Sequence, residues 1–210
     1  MHHFFEILKE LVNPESIITH GGLYLLLFVV FAETGLFAGF FLPGDSLLFT
    51  AGLLCGTGIF SVPIGWLVFL IILAAVLGNI TGYLFGKKVG VLLFKRKSSL
   101  FFKPNHLVRA KEFSDKHGGL ALVLSRFLPV IRTFAPIVAG VIKLNWRLFV
   151  LYSLIGAIGW VFFLTLGGYY LARVIPNLKD YLGYIVIFLI LITSIPFVVN
   201  LVKKGAPGKA

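Results

Sequence analysis

SRFLPVIRTFAPIVAG, residues 125–140, is mostly apolar yet carries two arginines, Arg126 and Arg132, and two prolines, Pro129 and Pro136. At the centre of a membrane helix an arginine costs about 2.5–3.5 kcal/mol on insertion scales. Proline removes a helical hydrogen bond. Broken backbone is tolerated at membrane depth where it is packed in protein or lines a wet cavity. The stretch therefore predicts an interrupted segment rather than a plain span. Its arginines are six residues apart, which is about 120° around a straight helix, so they would diverge. A helix usually ends at or before the residue preceding a proline. A break at Pro129 would let both guanidiniums turn into one cavity, and Pro136 with Ala139-Gly140 would turn the chain back to the side it entered from.

The surrounding chain reads as a polytopic membrane protein. It has 210 residues, 59% hydrophobic and 13% charged, where a soluble domain has about 25% charged. No Asp, Glu, Lys or Arg occurs from Ser46 to Gly86, from Leu148 to Ala172, or from Tyr181 to Val202. The last two runs are each long enough to cross a bilayer as one helix. The net charge of +11 is concentrated between Lys87 and Lys116 and at Lys203, Lys204 and Lys209. Basic residues flanking spans mark cytoplasmic loops. Without a soluble, aromatic-interleaved module the charge does not point to nucleic acid. Cys55 is the one cysteine, so no intrachain disulfide is expected.

These signals predict an all-α membrane protein. Residues 1–13 form an amphipathic surface helix carrying Phe4, Phe5, Ile7, Leu8, Leu11 and Val12, without the basic n-region of a signal peptide. A first re-entrant hairpin occupies 34–54, broken at Pro43 and Gly44, and a span runs over 63–85. A basic cytoplasmic loop with a helix occupies 87–117, and a second re-entrant hairpin 120–142. Spans at 146–170 and 181–202 follow, then a cytoplasmic tail at 203–210. With both basic segments cytoplasmic and two spans between them, 120–142 must enter and leave on the cytoplasmic side. The same logic makes 34–54 a hairpin from the opposite side. FLPGDSLLFTAG at 41–52 resembles FLPVIRTFAPIVAG at 127–140, as an inverted repeat would. Transporters built this way place their site near the midplane, where broken helices meet.

Four charges fall in or directly beside these hairpins: Glu33, Asp45, Arg126 and Arg132. They would pair with one another, face a polar site, or do both in turn. Arginine stays protonated and presents a planar fork of donors that fits phosphate oxygens. Two converging arginines beside the free N–H groups of a broken helix would make an anion site. Burial raises the pKa of a carboxyl and a neighbouring arginine lowers it, so Glu33 and Asp45 are candidates for proton coupling and charge balance. Asn79, Tyr83 and Ser125 are candidates to line the cavity. No histidine or cysteine spacing suggests a metal, and no G-x-S-x-G, H-E-x-x-H or Walker motif suggests an enzyme. No cofactor is expected.

With Glu33, LPGD at 42–45 and SRFLPVIRTFAPIVAG, the chain resembles the DedA family of bacterial membrane proteins. A further family pattern is GNITGYLFGKKVG at 78–90, where Asn79 stands in place of the usual acid. The resemblance implies two opposed re-entrant hairpins in the bacterial cytoplasmic (inner) membrane, with a cytoplasmic C-terminus. It also implies an essential acidic pair, Glu33 and Asp45, and an arginine pair, Arg126 and Arg132. The activity it implies is transport of a lipid phosphate, undecaprenyl phosphate being the expected substrate, with coupling to protons. The alternatives are a phosphatidylethanolamine-type scramblase, a proton-coupled transporter of small solutes, and a non-transporting structural protein. The expected partners are a polyprenyl phosphate or phospholipid headgroup and protons; a homo-oligomer is compatible with the sequence.

Overall fold

The computed structural model describes residues 14–36, 44–93, 119–126 and 129–175, and these contain helices and no strands. The expected surface helix at 1–13, the span at 181–202 and the tail at 203–210 lie outside the described residues. So do Pro43 and most of the basic loop at 87–117. The helices are α1 (Pro14–Gly35), α2 (Gly44–Gly56), α3 (Ile64–Leu93), α4 (Leu120–Ser125), α5 (Pro129–Val141) and α6 (Trp146–Val161). A π-helical turn, Phe162–Leu166, continues α6 into α7 (Gly167–Val174). Two compact units result. One holds Leu23–Leu42 and Pro63–Phe163; the other holds Met1–Gly22, Pro43–Val62 and Leu164–Ala210. In α1 the unit boundary falls at a kink, where Gly22 takes φ 57°, a left-handed conformation that costs glycine little.

The larger unit is built around α3. Its glycines at 78, 82 and 86 repeat every fourth residue, so they line one ridge of the helix. A Cβ on Gly35, at the end of α1, would lie 2.4 Å from the Gly78 carbonyl oxygen, and one on Gly86 2.0 Å from that of Ile137 in α5. Backbones therefore meet directly along this ridge, as small residues allow in membrane helices. The opposite face of α3 exposes Trp66, Phe69, Leu73, Leu77 and Leu84. In α6, Leu148, Leu151, Ile155 and Ile158 are likewise exposed. Long helices with bare apolar faces match a hydrocarbon solvent. Ile64–Val89 and Trp146–Val174 are long and apolar enough to cross a membrane.

Two sequence expectations need correction. Pro136 does not turn the chain; it sits inside α5. Packing against α3 supports the helix there, and membrane helices tolerate an interior proline when neighbours re-satisfy the backbone. Gly140 does not break the helix either. It is a notch in which an added Cβ would meet the Tyr83 carbonyl oxygen at 2.0 Å. The chain turns just afterwards, where Lys143 adopts φ 55° and Asn145 caps α6 by accepting from the N–H groups of Arg147 and Leu148. The helix of the expected span at 63–85 continues through Lys87-Lys88 as far as Leu93. Gly44 and Pro129 are each the first residue of a helix. The arginine-bearing segment is thus divided between α4, ending at Ser125, and α5, starting at Pro129, where proline suits the first helical position.

In the smaller unit, α2 and α7 also meet through glycine. A Cβ on Gly52 would lie 1.9 Å from the Thr165 carbonyl oxygen, and one on Gly168 2.2 Å from that of Phe49. Leu47, Leu48, Leu53 and Leu54 of α2 are fully buried. Cys55 donates its thiol to the Val62 carbonyl at 3.0 Å.

Candidate functional site

The larger unit brings three of the four membrane charges together. Glu33 lies in the last turn of α1 and is 1% exposed. The Thr34 hydroxyl stays within α1, donating to the Val30 carbonyl at 2.9 Å, while Gly35 lets the end of α1 press onto α3. Arg132, in the first turn of α5 and 6% exposed, donates from Nη2 to Glu33 Oε1 in a buried ion pair. The Thr133 hydroxyl adds a long contact to the Glu33 carbonyl, 3.4 Å.

Arg126 ends α4, its N–H bonded to the Val123 carbonyl at 3.3 Å. Its side chain passes Gly156 of α6, where an added Cβ would lie 2.9 Å from Arg126 Cδ. One turn further along α6 is Trp160, buried at 3% exposure. The Arg126 guanidinium carbon lies 5.8 Å from the centre of its ring, and that of Arg132 lies 4.9 Å from it. The helix break before Pro129 thus lets two arginines that would diverge on one straight helix share one aromatic ring.

The two arginines are satisfied differently. Arg132 has its carboxylate. Arg126 is 4% exposed, and neither of its terminal nitrogens has a hydrogen-bond partner among the described residues. Glu33 Oε2 and the buried Ser153 hydroxyl, on α6, are in the same position. A buried charge without an acceptor is costly. The α5 N-terminus begins beside Arg132, and the first N–H groups of a helix have no intrahelical acceptor. Chemically the locus offers donors to an anion.

The remaining sequence candidates are placed otherwise. Asp45 belongs to the smaller unit, in the first turn of α2, and is partly buried. Asn79 is buried on α3. Tyr83 is committed to packing rather than to a polar cavity. Its ring stacks on Phe149 at 4.5 Å, and its hydroxyl donates to the Leu144 carbonyl at 2.7 Å, closing the turn into α6. The Ser125 hydroxyl returns to its own helix, donating to the Leu122 carbonyl at 2.7 Å. Trp160 and Gly156 were not singled out from sequence. The available signal was the face Ser153, Gly156, Ala157, Trp160, spaced three, four and seven residues apart: a small-residue notch ending in a tryptophan inside a span.

Long apolar helices with bare outer faces and a charged cluster sealed inside define an integral helical membrane protein. Residues 42–170 match the VTT domain. Protein DedA of Escherichia coli K12 is 37% identical over 204 residues, covering 97% of this chain and 91% of that protein. The inner membrane protein YqjA of the same strain is 35% identical, covering 81% and 76% respectively. An uncharacterized membrane protein of Mycobacterium leprae is 36% identical, covering 88% and 82%. No solved structure is significantly similar to the chain. The chain belongs to the DedA family of membrane proteins.

Proposed function

We propose that the protein is a lipid-phosphate transporter of the bacterial inner membrane, with undecaprenyl phosphate as its substrate. The observation that carries this reading is Arg126: a guanidinium 4% exposed, its terminal nitrogens without partners among the described residues, beside a second arginine over one ring. A phosphate oxygen is the acceptor such a fork fits. Arg126 makes the first contact with the headgroup. Arg132 joins it as its ion pair with Glu33 opens, and Glu33 takes up a proton as its counter-charge departs. Asp45, in the first turn of α2, is a second candidate for proton uptake. In this reading the segment 120–142 acts as a re-entrant hairpin, exposing the site alternately to the two sides. The prenyl choice rests on family resemblance; the phosphate rests on the arginines.

Transbilayer movement of fluorescent polyprenyl phosphate in proteoliposomes tests the reading. The wild type should move it, and Arg126→Gln should slow it at least about tenfold, the loss of one charge-assisted contact. Equal rates for the two proteins would refute the site. Equal movement of phosphatidylethanolamine and polyprenyl phosphate would replace the phosphate reading with a scramblase.

A further inference from the structure

The geometry points to Trp160 as the positioning residue of the anion site, with Gly156 making the room it needs; this inference rests on the lipid-phosphate reading above. Two guanidiniums repel, and in a buried site the repulsion is poorly screened. Yet Arg126 and Arg132 lie 5.8 and 4.9 Å from the centre of one indole ring. An aromatic face attracts a cation through its quadrupole without accepting its N–H groups as a carboxylate would. That difference is what an anion site requires. A carboxylate beside Arg126 would neutralise it and occupy its donors. The indole holds it in place while both terminal nitrogens stay without partners among the described residues. Gly156 complements the ring one turn earlier, because any side chain there would meet Arg126 Cδ at 2.9 Å and Nε at 3.2 Å. Glycine and tryptophan on one face of α6 thus set both the path and the resting place of Arg126.

The test uses the full chain in detergent, with farnesyl phosphate as the probe, and measures affinity and thermal midpoint together. Trp160→Phe keeps an aromatic face, whereas Trp160→Leu removes it. Both shrink the residue, so a purely structural role would lower the affinity only in step with the thermal midpoint. The inference predicts that W160L weakens probe binding about tenfold and W160F by less than about threefold, the span of a buried cation–π contact. Gly156→Ala leaves the indole in place but displaces Arg126, and should weaken binding as W160L does. If W160L does not fold, G156A carries the test: weakened binding supports the inference and unchanged binding overturns it. Equal loss in W160F and W160L, or no loss in either, overturns the assignment of Trp160 alone, provided Arg126→Gln abolishes binding. Binding that R126Q leaves unchanged, or none by the wild type, overturns the lipid-phosphate reading, and this inference with it.

Discussion

At the scale of single residues, the two arginines should behave differently when removed. Arg132→Ala strands the Glu33 carboxylate in a site where it is 1% exposed, and breaking a buried pair from one side costs about 3–5 kcal/mol. The variant should be poorly folded, read as a lowered thermal midpoint, and adding Glu33→Gln should restore much of the loss. Among the described residues the terminal nitrogens of Arg126 have no hydrogen-bond partner for Arg126→Gln to remove. Its midpoint should fall far less than that of R132A, although lipid-phosphate binding is lost. The charges were legible in the sequence because hydrocarbon makes each one expensive, so each needed a reason. Trp160 was not, because a tryptophan in an apolar run looks like any other large apolar residue until Arg126 and Arg132 are seen above it. Tyr83 was misread for a related reason. Its hydroxyl serves the Leu144 carbonyl, sixty-one positions along the chain, a partner no local pattern indicates.

At the scale of elements, glycine contacts hold the helices together. Gly86→Ala would place a carbon 2.0 Å from the Ile137 carbonyl oxygen, so α3 and α5 would have to separate; Gly159, on α6, has nothing within 4 Å of an added Cβ. G86A should therefore cost about 1–3 kcal/mol, while G159A should be neutral or slightly stabilising through helix propensity. Parallel thermal denaturation in detergent distinguishes them. Pro136→Ala should leave the fold standing, because the helix already continues through that position. Asn145→Ala should cost about 1 kcal/mol by uncapping α6. The long apolar helices at 64–89 and 146–174 and the break before Pro129 were legible, the former from charge-free runs and the latter from proline's effect on the residue before it. The roles of Pro136 and Gly140 were not. Local signals mark both as helix breakers, and only the packing of α5 on α3 shows that the proline is tolerated and the glycine is a notch.

At the scale of the molecule, the structure turns an apolar face outward and seals charge within the larger unit. Single cysteines at Leu73 and Leu77, introduced after Cys55→Ser, should react with a water-soluble maleimide far more slowly in membranes than after denaturation. Fast labelling of the folded protein would contradict a lipid-facing α3. Binding of a lipid phosphate at Arg126 can be read by ³¹P–¹⁵N dipolar recoupling on ¹⁵N-arginine-labelled protein in bilayers containing polyprenyl phosphate. A coupling at hydrogen-bonding range between the headgroup phosphorus and guanidinium nitrogens should be present in the wild type and absent in Arg126→Gln. A headgroup coupled to no arginine, or coupled equally in the two proteins, would contradict binding at Arg126.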